Sequence, residues 1–412
     1  MIRALNRPRH FEHLMRVVRM ANPEEVRWKL PPSKSHMIRW LALAARSNGL
    51  TDLHFKGSVG EDVVSMANCL ESMGVKIEKE RDFWRVFGVV DELSPPGVLN
   101  CGNSGTVARM MMVFCAGFDF PTLIDGDQSL RTRSFESLAS LLVELGCKVD
   151  SDRLPLSISG PMKFRSASLD QSNSSQPLTS MAIGSPDFPG EVEIEITGKP
   201  VSSGYLDMTK EICTECGWDG TISADRAIFA PWVVSTPKEV RVPVEHSLIP
   251  MSILFDRLHG VNSLVGDDLG VIDHRLQSAI GHFIEGDGGV LDLGDVSDII
   301  TPAAAIMALG KGGVIKGVKH SSNKESDRIA TTVDLLGAFG IVASQAIDGL
   351  EVNGGQRPKA PSGLVRTFGD HRVAMSAIIL ASSVGAEIDD PSVTAVTDPD
   401  FVRMLGSCVS IN

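Results

Sequence analysis

The sequence has few residues of the kinds that cross-link a chain or anchor it in a membrane. Its 412 residues include seven cysteines, which are too sparse and odd in number for a disulfide scaffold and are typical of a reducing compartment. No apolar run reaches the roughly 18 residues of a membrane span, which excludes a membrane protein. The first 20 residues are basic and lack the apolar core of a secretory signal. We therefore expect a cytoplasmic protein.

Positive charge is also scarce. The chain has 39 Lys and Arg against 51 Asp and Glu, a formal net charge of −12. This balance excludes the broad positive surface that binds nucleic acid, although a single pocket can still be basic enough for a small anion. The 43% of hydrophobic residues argues against disorder, and the length suggests two or three domains or one domain type used twice.

Cys213 and Cys216 form a lone C-x-x-C pair. A structural zinc site needs two further ligands at similar spacing, and none follows in the sequence. We therefore expect these cysteines to be half-buried residues of a helix.

A helix-Gly-strand pattern recurs along the chain. An amphipathic run ends at Gly74, Gly146 and Gly340, with a weaker example at Gly217, and a β-branched segment follows each glycine. Glycine at such a position supplies a left-handed helix cap. Gly146 lies 72 residues after Gly74, and Gly217 lies 71 residues after Gly146. This spacing predicts a repeated α/β unit of about 70 residues.

Two proline-containing stretches interrupt the pattern, at Pro31-Pro32 and at residues 235–246. Prolines with interspersed charges are typical of connections between domains. Two such connections predict a chain that leaves one domain, builds a second and returns to the first.

Five polar clusters interrupt apolar runs where helices are predicted to begin. Helix N-termini attract anions, and Lys or Arg placed there strengthens the attraction. Carboxylates beside cations are also the groups used in general acid/base catalysis. Each cluster alone is equally consistent with helix caps, such as Ser33 or Ser35, and with solvated basic side chains. The clusters are residues 31–45, 100–112, 125–133 and 172–182, and a fifth group made of Asp298, residues 323–329 and residues 369–375.

Eight cationic side chains lie in these clusters, all at turn-to-helix junctions. Without them the chain would have 31 Lys and Arg against 51 Asp and Glu, a difference of −20. We therefore expect the basic charge to converge on anionic ligands in one cleft between two acidic domains. The eight are Lys34, Arg39, Arg109, Arg131, Arg133, Lys324, Arg328 and Arg372.

Taken in order, the clusters closely resemble the 5-enolpyruvylshikimate-3-phosphate synthase family of enolpyruvyl transferases. Each match is weak alone, but the ordered combination spans about residues 32–402 and is specific. The matches are S-K-S with Arg39, G-N-S-G-T with Arg109, Arg133, S-S-Q at 174–176, K-E-S-D-R at 324–328 and D-H-R at 370–372.

The resemblance implies an α/β fold of two similar domains. Each domain would contain three βαβαββ-type repeats in an inside-out, barrel-like arrangement, with the active site in the cleft between the domains. Residues 32–242 would form the inserted domain, and residues 1–31 with 243–412 the discontinuous one.

The resemblance also implies an activity. The enolpyruvyl group of phosphoenolpyruvate would pass to the 5-hydroxyl of shikimate 3-phosphate, with release of phosphate. The only partners would be these two small molecules. No metal or organic cofactor is implied, and a monomer is expected.

Site residues carry over from the resemblance by position. Asp298 would be the base near the attacking hydroxyl, Glu325 the acid/base near the methylene carbon, and Lys34 a contact to both substrates. Shikimate 3-phosphate would contact Lys34, Ser35, Arg39, Ser174, Ser175, Gln176, Ser202, Tyr205 (the only tyrosine), Asp298, His320 and Lys324. Phosphoenolpyruvate would contact Lys34, Gly105, Arg133, Gln176, Arg328 and Arg372.

Four positions depart from the family pattern. Val396 stands where a Lys that contacts phosphoenolpyruvate is usual, and losing such a contact costs roughly 1.5–3 kcal/mol unless another cation replaces it. His320 stands where Asn is common, Ser203-Gly204 replaces a Lys-Pro pair, and residues 244–252 replace a Gly-Asp-x-Ser-Ser-Ala pattern.

These departures leave two alternatives open. One is a related enolpyruvyl transferase with a different phosphorylated acceptor, and the other is a weakly active, ligand-binding paralogue. The branch that uses a UDP-sugar is disfavoured because residues 125–133 contain no cysteine.

Overall fold

The computed structural model describes residues 14–89, 93–94, 96–163, 165–264, 269–285 and 288–411. Their apolar side chains form two large cores. One core draws on residues 37–242, here called the inserted half, and the other on residues 15–30 and 248–408, here called the flanking half. Residues 1–13, which the predicted discontinuous domain includes, lie outside the described residues.

Strands and helices alternate along most of the chain. The strands are β1 (Met15–Val17), β2 (Leu50–His54), β3 (Lys76–Lys79), β4 (Phe83–Phe87), β5 (Val98–Asn100), β6 (Thr122–Asp125), β7 (Lys148–Val149), β8 (Leu156–Ser159), β9 (Ser166–Asp170), β10 (Val192–Thr197), β11 (Thr221–Ile222), β12 (Arg226–Phe229), β13 (Glu239–Arg241), β14 (Val290–Asp292), β15 (Gly312–Lys316), β16 (Ala343–Ala346), β17 (Gly349–Asn353), β18 (Ala386–Ile388) and β19 (Val409–Ile411). The α-helices are α1 (Lys34–Ala44), α2 (Glu61–Ser72), α3 (Gly105–Cys115), α4 (Gln128–Arg131), α5 (Glu136–Glu144), α6 (Gln176–Gly184), α7 (Ser203–Glu215), α8 (Ile249–His259), α9 (His274–Glu285), α10 (Ile300–Leu309), α11 (Arg328–Ala338), α12 (His371–Val384) and α13 (Phe401–Met404).

Three four-stranded sheets of the inserted half share one pattern, with strand orders β13-β2-β4-β3, β5-β6-β8-β7 and β11-β12-β10-β9. In each sheet one central strand pairs in parallel with an edge strand and antiparallel with the other central strand, as β6 does with β5 and β8. Gly74 and Gly146, which follow α2 and α5, have φ values of +95° and +90°. The predicted left-handed caps and the predicted repeat are therefore present.

The flanking half is less regular. Its sheet β14-β15-β17-β16 repeats the same pattern, but its second sheet, β18-β1-β19, has three strands. Between α8 and α9 the described residues contribute a single bridge, from Leu264 to Trp28. Strand β1 lies near the start of the chain, whereas its partners β18 and β19 lie near the end.

Helices occupy the interior and sheets surround them. Every residue of α10, an Ala-rich segment with no polar face, is buried, and α10 packs against α8, α11 and α12. In the inserted half α6 packs against α1, α3 and α7 in the same way. A helix that is apolar all round must be covered on every side. The strands alternate between buried and exposed residues, as in β10, and so cover the helices with one face.

The two connections between the halves lie side by side. The backbone N–H of Ser33 donates to the carbonyl of Pro243 over 2.7 Å, and the N–H of Glu245 donates to the carbonyl of Pro31 over 2.8 Å. These hydrogen bonds join the outgoing chain to the returning chain.

In the part of the chain that the structure describes, no helix is both long and apolar enough to cross a membrane.

Gly60, at the N-cap of α2, touches the flanking half and provides a test of this contact. A Cβ atom at Gly60 would lie 2.5 Å from the carbonyl oxygen of Val396 and 2.9 Å from that of Thr397. We expect Gly60→Ala to reduce the free energy of unfolding by about 1–3 kcal/mol, measured by urea denaturation. The matched control is Gly337→Ala, because Gly337 lies on an exposed part of α11 with open space around its Cβ position. Equal denaturation midpoints for the two variants would contradict the close approach.

Candidate active site

A cavity of about 470 Å³ lies where the two halves meet. Helices α1, α3, α6 and α7 of the inserted half and α12 of the flanking half begin at this cavity. The positive dipole ends of these helices favour anions. Of the sixteen predicted site residues only Arg328 does not line the cavity. The others are Lys34, Ser35, Arg39, Gly105, Arg133, Ser174, Ser175, Gln176, Ser202, Tyr205, Asp298, His320, Lys324, Glu325 and Arg372.

Arg328 lies beneath the cavity, fully buried, and its guanidinium binds three carboxylates. Nε donates to Asp370 over 2.9 Å, Nη1 donates to Asp298 over 2.9 Å, and Nη2 donates to Glu325. Asp370 also accepts a 2.8 Å hydrogen bond from the backbone N–H of Arg372 and so caps α12. Because a buried charge must be paired, Arg328 holds these three segments together. Its predicted ligand contact stays a prediction.

Both candidate acid/base carboxylates are ionised. Burial raises the pKa of Asp298, but the charges of Lys324 and Arg328 outweigh burial and hold this pKa well below its usual range. Burial also opposes the ionisation of Glu325, whose pKa is nevertheless held well below its usual range by Arg328 and Arg133. An ionised Asp298 can accept a proton, whereas Glu325 must gain a proton before it can donate one.

Lys34 is the first residue of α1 and lines the cavity. Its Nζ lies 3.0 Å from Asp62 Oδ2. Burial lowers the pKa of Lys34, but the charges of Asp62 and Glu325 outweigh burial, so the pKa is raised and the amine stays charged. The backbone N–H of Lys34 donates to Glu245 Oε2 over 3.1 Å. A carboxylate from the returning connection therefore caps α1, and the predicted side-chain cap from Ser33 is wrong.

The start of α7 reaches across the cavity to the flanking half. The Tyr205 hydroxyl donates to Asp298, and burial together with the charge of Asp298 raises the pKa of Tyr205 well above its usual value. Ser202 has a φ of +52°, and its Oγ lies 3.3 Å from His320 Nε2, which is also 2.9 Å from Ser297 Oγ. Burial lowers the pKa of His320 to about 4. A neutral imidazole therefore joins hydroxyls of both halves.

The turn from Ser174 to Gln176 opens α6. Ser174 Oγ accepts a 3.1 Å hydrogen bond from the N–H of Gln176, and Ser175 Oγ donates to the carbonyl of Ser202 over 3.1 Å. The Gln176 carbonyl oxygen accepts a 2.8 Å hydrogen bond from Arg109 Nη1, which fixes the orientation of the amide. Hydroxyls and an amide at a helix start can bind phosphate and hydroxyl oxygens.

Two arginines share the space above Gly105. Arg133 Nη2 donates to Asn103 Oδ1 over 2.6 Å, and Arg133 Nη1 lies 3.8 Å from Glu325 Oε1 in the opposite half. A Cβ atom at Gly105 would lie 2.9 Å from Arg109 Nη1 and 3.5 Å from Arg133 Nη1. The missing side chain therefore leaves room for both guanidinium groups.

Two other cavity arginines have neutral partners, unlike Arg328. Arg372 donates to the backbone carbonyl of Ser247 over 2.9 Å and to its Oγ over 2.7 Å. Arg39 donates to Thr209 Oγ1 over 2.8 Å. Burial lowers the pKa of Arg39 to about 10, which leaves the side chain charged at neutral pH. The charges of Arg372 and Arg39 are therefore available to an anionic ligand.

A second predicted cation, Arg131, also does not line the cavity, and one cation that does was not predicted. Arg131 Nη2 lies 2.6 Å from Asp125 Oδ2, and its half-exposed side chain is outside the cavity, so its predicted place in the cleft is wrong. Arg153 lines the cavity, as do Asp62 and Glu245. Only the tertiary fold brings these three residues to the cavity, and no local motif marks them.

Val396 leaves its part of the structure without a cation. Its side chain is buried against Val393 and Ala374 and does not line the cavity. The position therefore contributes packing and no charge to the cavity.

The C-x-x-C pair lies at the end of α7. Cys213 and Cys216 are both buried free thiols, more deeply covered than the half-buried state that we predicted. Burial raises the pKa of each thiol to about 12. Among the described residues, no group of three or more His, Cys, Asp or Glu side chains is arranged to hold a metal ion.

The chain matches a family model over most of its length. The model, described as EPSP synthase (3-phosphoshikimate 1-carboxyvinyltransferase), covers residues 22–243 and 276–405. The 3-phosphoshikimate 1-carboxyvinyltransferase of Methanothermobacter thermautotrophicus is 29% identical over 397 residues, which are 90% of this chain and 93% of that protein. The protein of the same name from Thermococcus kodakarensis is 29% identical over 403 residues, which are 92% and 96% of the two chains.

Solved structures share the fold. An EPSP synthase structure from Acinetobacter baumannii aligns with a TM-score of 0.75 and 19% identity, covering 97% of this chain and all of that chain. The enolpyruvyl transferase NikO from Streptomyces tendae aligns with a TM-score of 0.72 and 11% identity, covering 97% and 99% of the two chains. These likenesses confirm the predicted two-domain α/β fold class.

His320 predicts a pH dependence of stability. Its pKa is about 4 in the folded protein and about 6.5 when exposed, so its contribution is present above pH 6.5 and is lost as the pH falls toward 4. We expect His320→Asn to reduce the loss of stability between pH 6.5 and 4 by up to about 3 kcal/mol, measured by urea denaturation at each pH.

The control for this experiment is His54→Asn, a change on strand β2 away from the cavity. This variant should keep the wild-type slope of unfolding free energy against pH. Some slope should remain in His320→Asn because burial also lowers the pKa of His36 to about 4. The same slope for wild type and His320→Asn would contradict the prediction.

Proposed function

The chain belongs to the EPSP synthase family, and on that premise we propose how its cavity transfers an enolpyruvyl group from phosphoenolpyruvate to the 5-hydroxyl of shikimate 3-phosphate. Phosphate leaves, and the product is an enol ether on the shikimate pathway to chorismate and aromatic amino acids. The chain is an enzyme, a transferase whose two substrates are small anions.

One observation carries the proposal. A single cavity brings cations from both halves together with two ionised carboxylates, Asp298 and Glu325, which lie on either side of the buried Arg328. The reaction needs a base for the attacking hydroxyl, an acid for the methylene carbon, and cations for a carboxylate and a leaving phosphate. A site that only bound a dianion would need the cations alone.

We assign phosphoenolpyruvate to the side of the cavity formed by Gly105, Arg133, Gln176 and Arg372, with Lys34 between the substrates. The neutral partners of Arg372 support this assignment, because they leave its charge free for the substrate carboxylate or phosphate. The absent side chain at Gly105 lets the guanidinium of Arg133 lie close to the helix start on this side of the cavity.

We assign shikimate 3-phosphate to the opposite side. Ser174, Ser175 and Lys324 would hold its phosphate, and Arg39 its ring carboxylate, because a guanidinium binds a carboxylate bidentately. Ser35, Gln176, Ser202, Tyr205 and His320 supply hydrogen-bonding groups around the ring.

The proton transfers follow from the charges. Asp298 takes the proton of the 5-hydroxyl as that oxygen attacks the substituted carbon of phosphoenolpyruvate, while the methylene carbon gains a proton from Glu325. The product is a tetrahedral adduct with a methyl group. Phosphate then leaves with the proton that Asp298 holds, while the methyl group returns one proton to Glu325, which restores the methylene and both carboxyl groups to their starting charges. Cations around the adduct stabilise its carboxylate and phosphate in a site shielded from water.

Substrate binding itself would prepare Glu325 for this step. Arg328 and Arg133 hold the pKa of Glu325 low while the cavity is empty. Phosphoenolpyruvate brings negative charge to these cations, so the pKa of Glu325 rises and the carboxylate takes up a proton.

We further propose that residues 32–242 and residues 1–31 with 243–412 are the two domains and that the protein is a cytoplasmic monomer. The two separate cores support the division, and the seven free thiols support a reducing compartment.

The central test is release of phosphate when the purified protein meets both substrates. We expect release that requires both of them, and Glu325→Gln should lower kcat by about 10²- to 10⁴-fold because the acid is lost without a change of shape. Glu78→Gln, an exposed change on β3, is the control and should keep the wild-type rate. Thermal unfolding checks that all variants are folded. Absence of release at millimolar substrate would overturn the proposed function.

Proton uptake by Glu325 can be measured separately. Phosphoenolpyruvate is titrated calorimetrically into the protein at pH 8, where its phosphate is fully ionised, in two buffers with different protonation enthalpies. We expect buffer-dependent heat from proton uptake in the wild type, and a smaller dependence in Glu325→Gln. Equal buffer dependence in the two proteins would assign the proton to another group.

A further inference from the structure

A set of contacts joins the two halves outside the cavity, at the start of α7. The N–H of Ser202 donates to the carbonyl of Gly294 over 3.3 Å. The N–H and the hydroxyl of Ser203 both donate to Asp295 Oδ1, over 3.1 and 2.7 Å. The first turn of α7, which carries Tyr205 into the cavity, is therefore held against the loop that follows β14.

Arg275, in the first turn of α9, adds an ion pair to this contact. Asp273 binds its guanidinium through both oxygens at 3.0 Å, and this grip fixes the direction in which Arg275 points. Arg275 Nη1 then donates to Asp207 Oδ2 over 3.1 Å and to Ser203 Oγ over 3.3 Å in the inserted half. Arg275 and Asp207 do not line the cavity, so this pair is separate from the substrate site.

Gly204 makes the approach of Arg275 possible. A Cβ atom at Gly204 would lie 3.0 Å from Arg275 Cζ and 3.2 Å from its Nη1. A Cβ at this position would require the guanidinium to move by a few tenths of an ångström, which its two-oxygen pairing with Asp273 opposes. The Ser203-Gly204 pair, which departs from the family pattern, is therefore matched to Arg275 in the same chain.

We propose that Arg275 is a positioning residue that, by pairing with Asp207, latches the cleft in the arrangement described here, in which Tyr205 contacts Asp298 across it and which we call the closed form. The latch sets how often Ser202 and Tyr205 stand opposite His320 and Asp298, and it touches no reacting atom. The use of shikimate 3-phosphate to test this latch rests on the proposed function. The pairing of Arg275 with Asp207 does not.

Loss of the latch should weaken the apparent binding of substrate without slowing the chemical step. If shikimate 3-phosphate binds the closed form, its apparent dissociation constant rises in proportion as the closed form becomes rarer. Chemistry takes place after closure, so kcat stays nearly constant. Because Arg275 is largely covered and Asp207 is partly exposed, salt weakens the pair and the expected effect is moderate, about 3- to 10-fold.

The first experiment compares Arg275→Met with Lys210→Met. Lys210 pairs with the same Asp207 carboxylate over 3.1 Å, but within α7, so its removal keeps the pair across the cleft. We expect Arg275→Met to raise KM for shikimate 3-phosphate about 3- to 10-fold with kcat within about 2-fold, and to make KM less sensitive to salt. Lys210→Met should keep the wild-type KM.

A double-mutant cycle identifies the partner. Asp207→Asn should raise KM as Arg275→Met does, and the double variant should resemble either single variant, because both remove one interaction. Unchanged KM in Arg275→Met, additive effects in the double variant, or a fall in kcat equal to the rise in KM would each overturn the latch.

Hydrogen exchange tests the latch without turnover. The N–H of Ser203 bonds to Asp295 across the cleft, so its exchange in the ligand-free protein reports opening. We expect exchange over residues 202–207 to be about 3- to 10-fold faster in Arg275→Met than in Lys210→Met. Equal exchange would overturn the latch. Faster exchange in a protein that releases no phosphate would support the latch while the proposed function fails.

Discussion

The buried pairing of Arg328 with three carboxylates is the interaction on which the rest of the site depends. Asp298, Glu325 and Asp370 come from three separate loops of the flanking half, and one guanidinium holds them together. Charges taken out of water need such compensation, because an unpaired one costs several kcal/mol. The same pairing, together with Lys324 beside Asp298 and Arg133 beside Glu325, keeps two carboxylates ionised next to the cavity, so Arg328 serves both the structure and the chemical state of the site.

The arrangement of helices explains how an acidic protein binds anions. Helices such as α6 and α10 carry no charged residue, and their side chains are almost all buried, so they pack in the interior. In both halves N-terminal ends face the junction, which places backbone N–H groups, Arg39 and Arg372 around one cavity. The net charge of −12 lies elsewhere on the molecule and does not weaken this local field, because salt screens distant exposed charges.

Sequence reasoning succeeded where the cause was local or where the ordered motifs applied. The glycine caps at 74 and 146 follow from backbone geometry, and the motifs placed all but one of the predicted site residues at the cavity. It failed for Arg131, because the guanidinium pairs with the carboxylate of Asp125, only six residues earlier in the chain, and does not reach the cavity. It also could not find Glu245, which caps α1 from 211 residues away. Contacts at such separations depend on the whole fold and leave no local pattern.

The pairing of β13 with β2, and of β1 with β18 and β19, has a consequence for the order of folding. The first sheet of the inserted half is complete once residue 241 has been synthesised. Strand β1, made among the first residues, must wait for residues 386–411 before it has partners. A growing chain would therefore hold one finished half while its early segment stays unpaired. Arg372, which lines the cavity, also follows the inserted half in the chain, so the site is complete only after that half has been made.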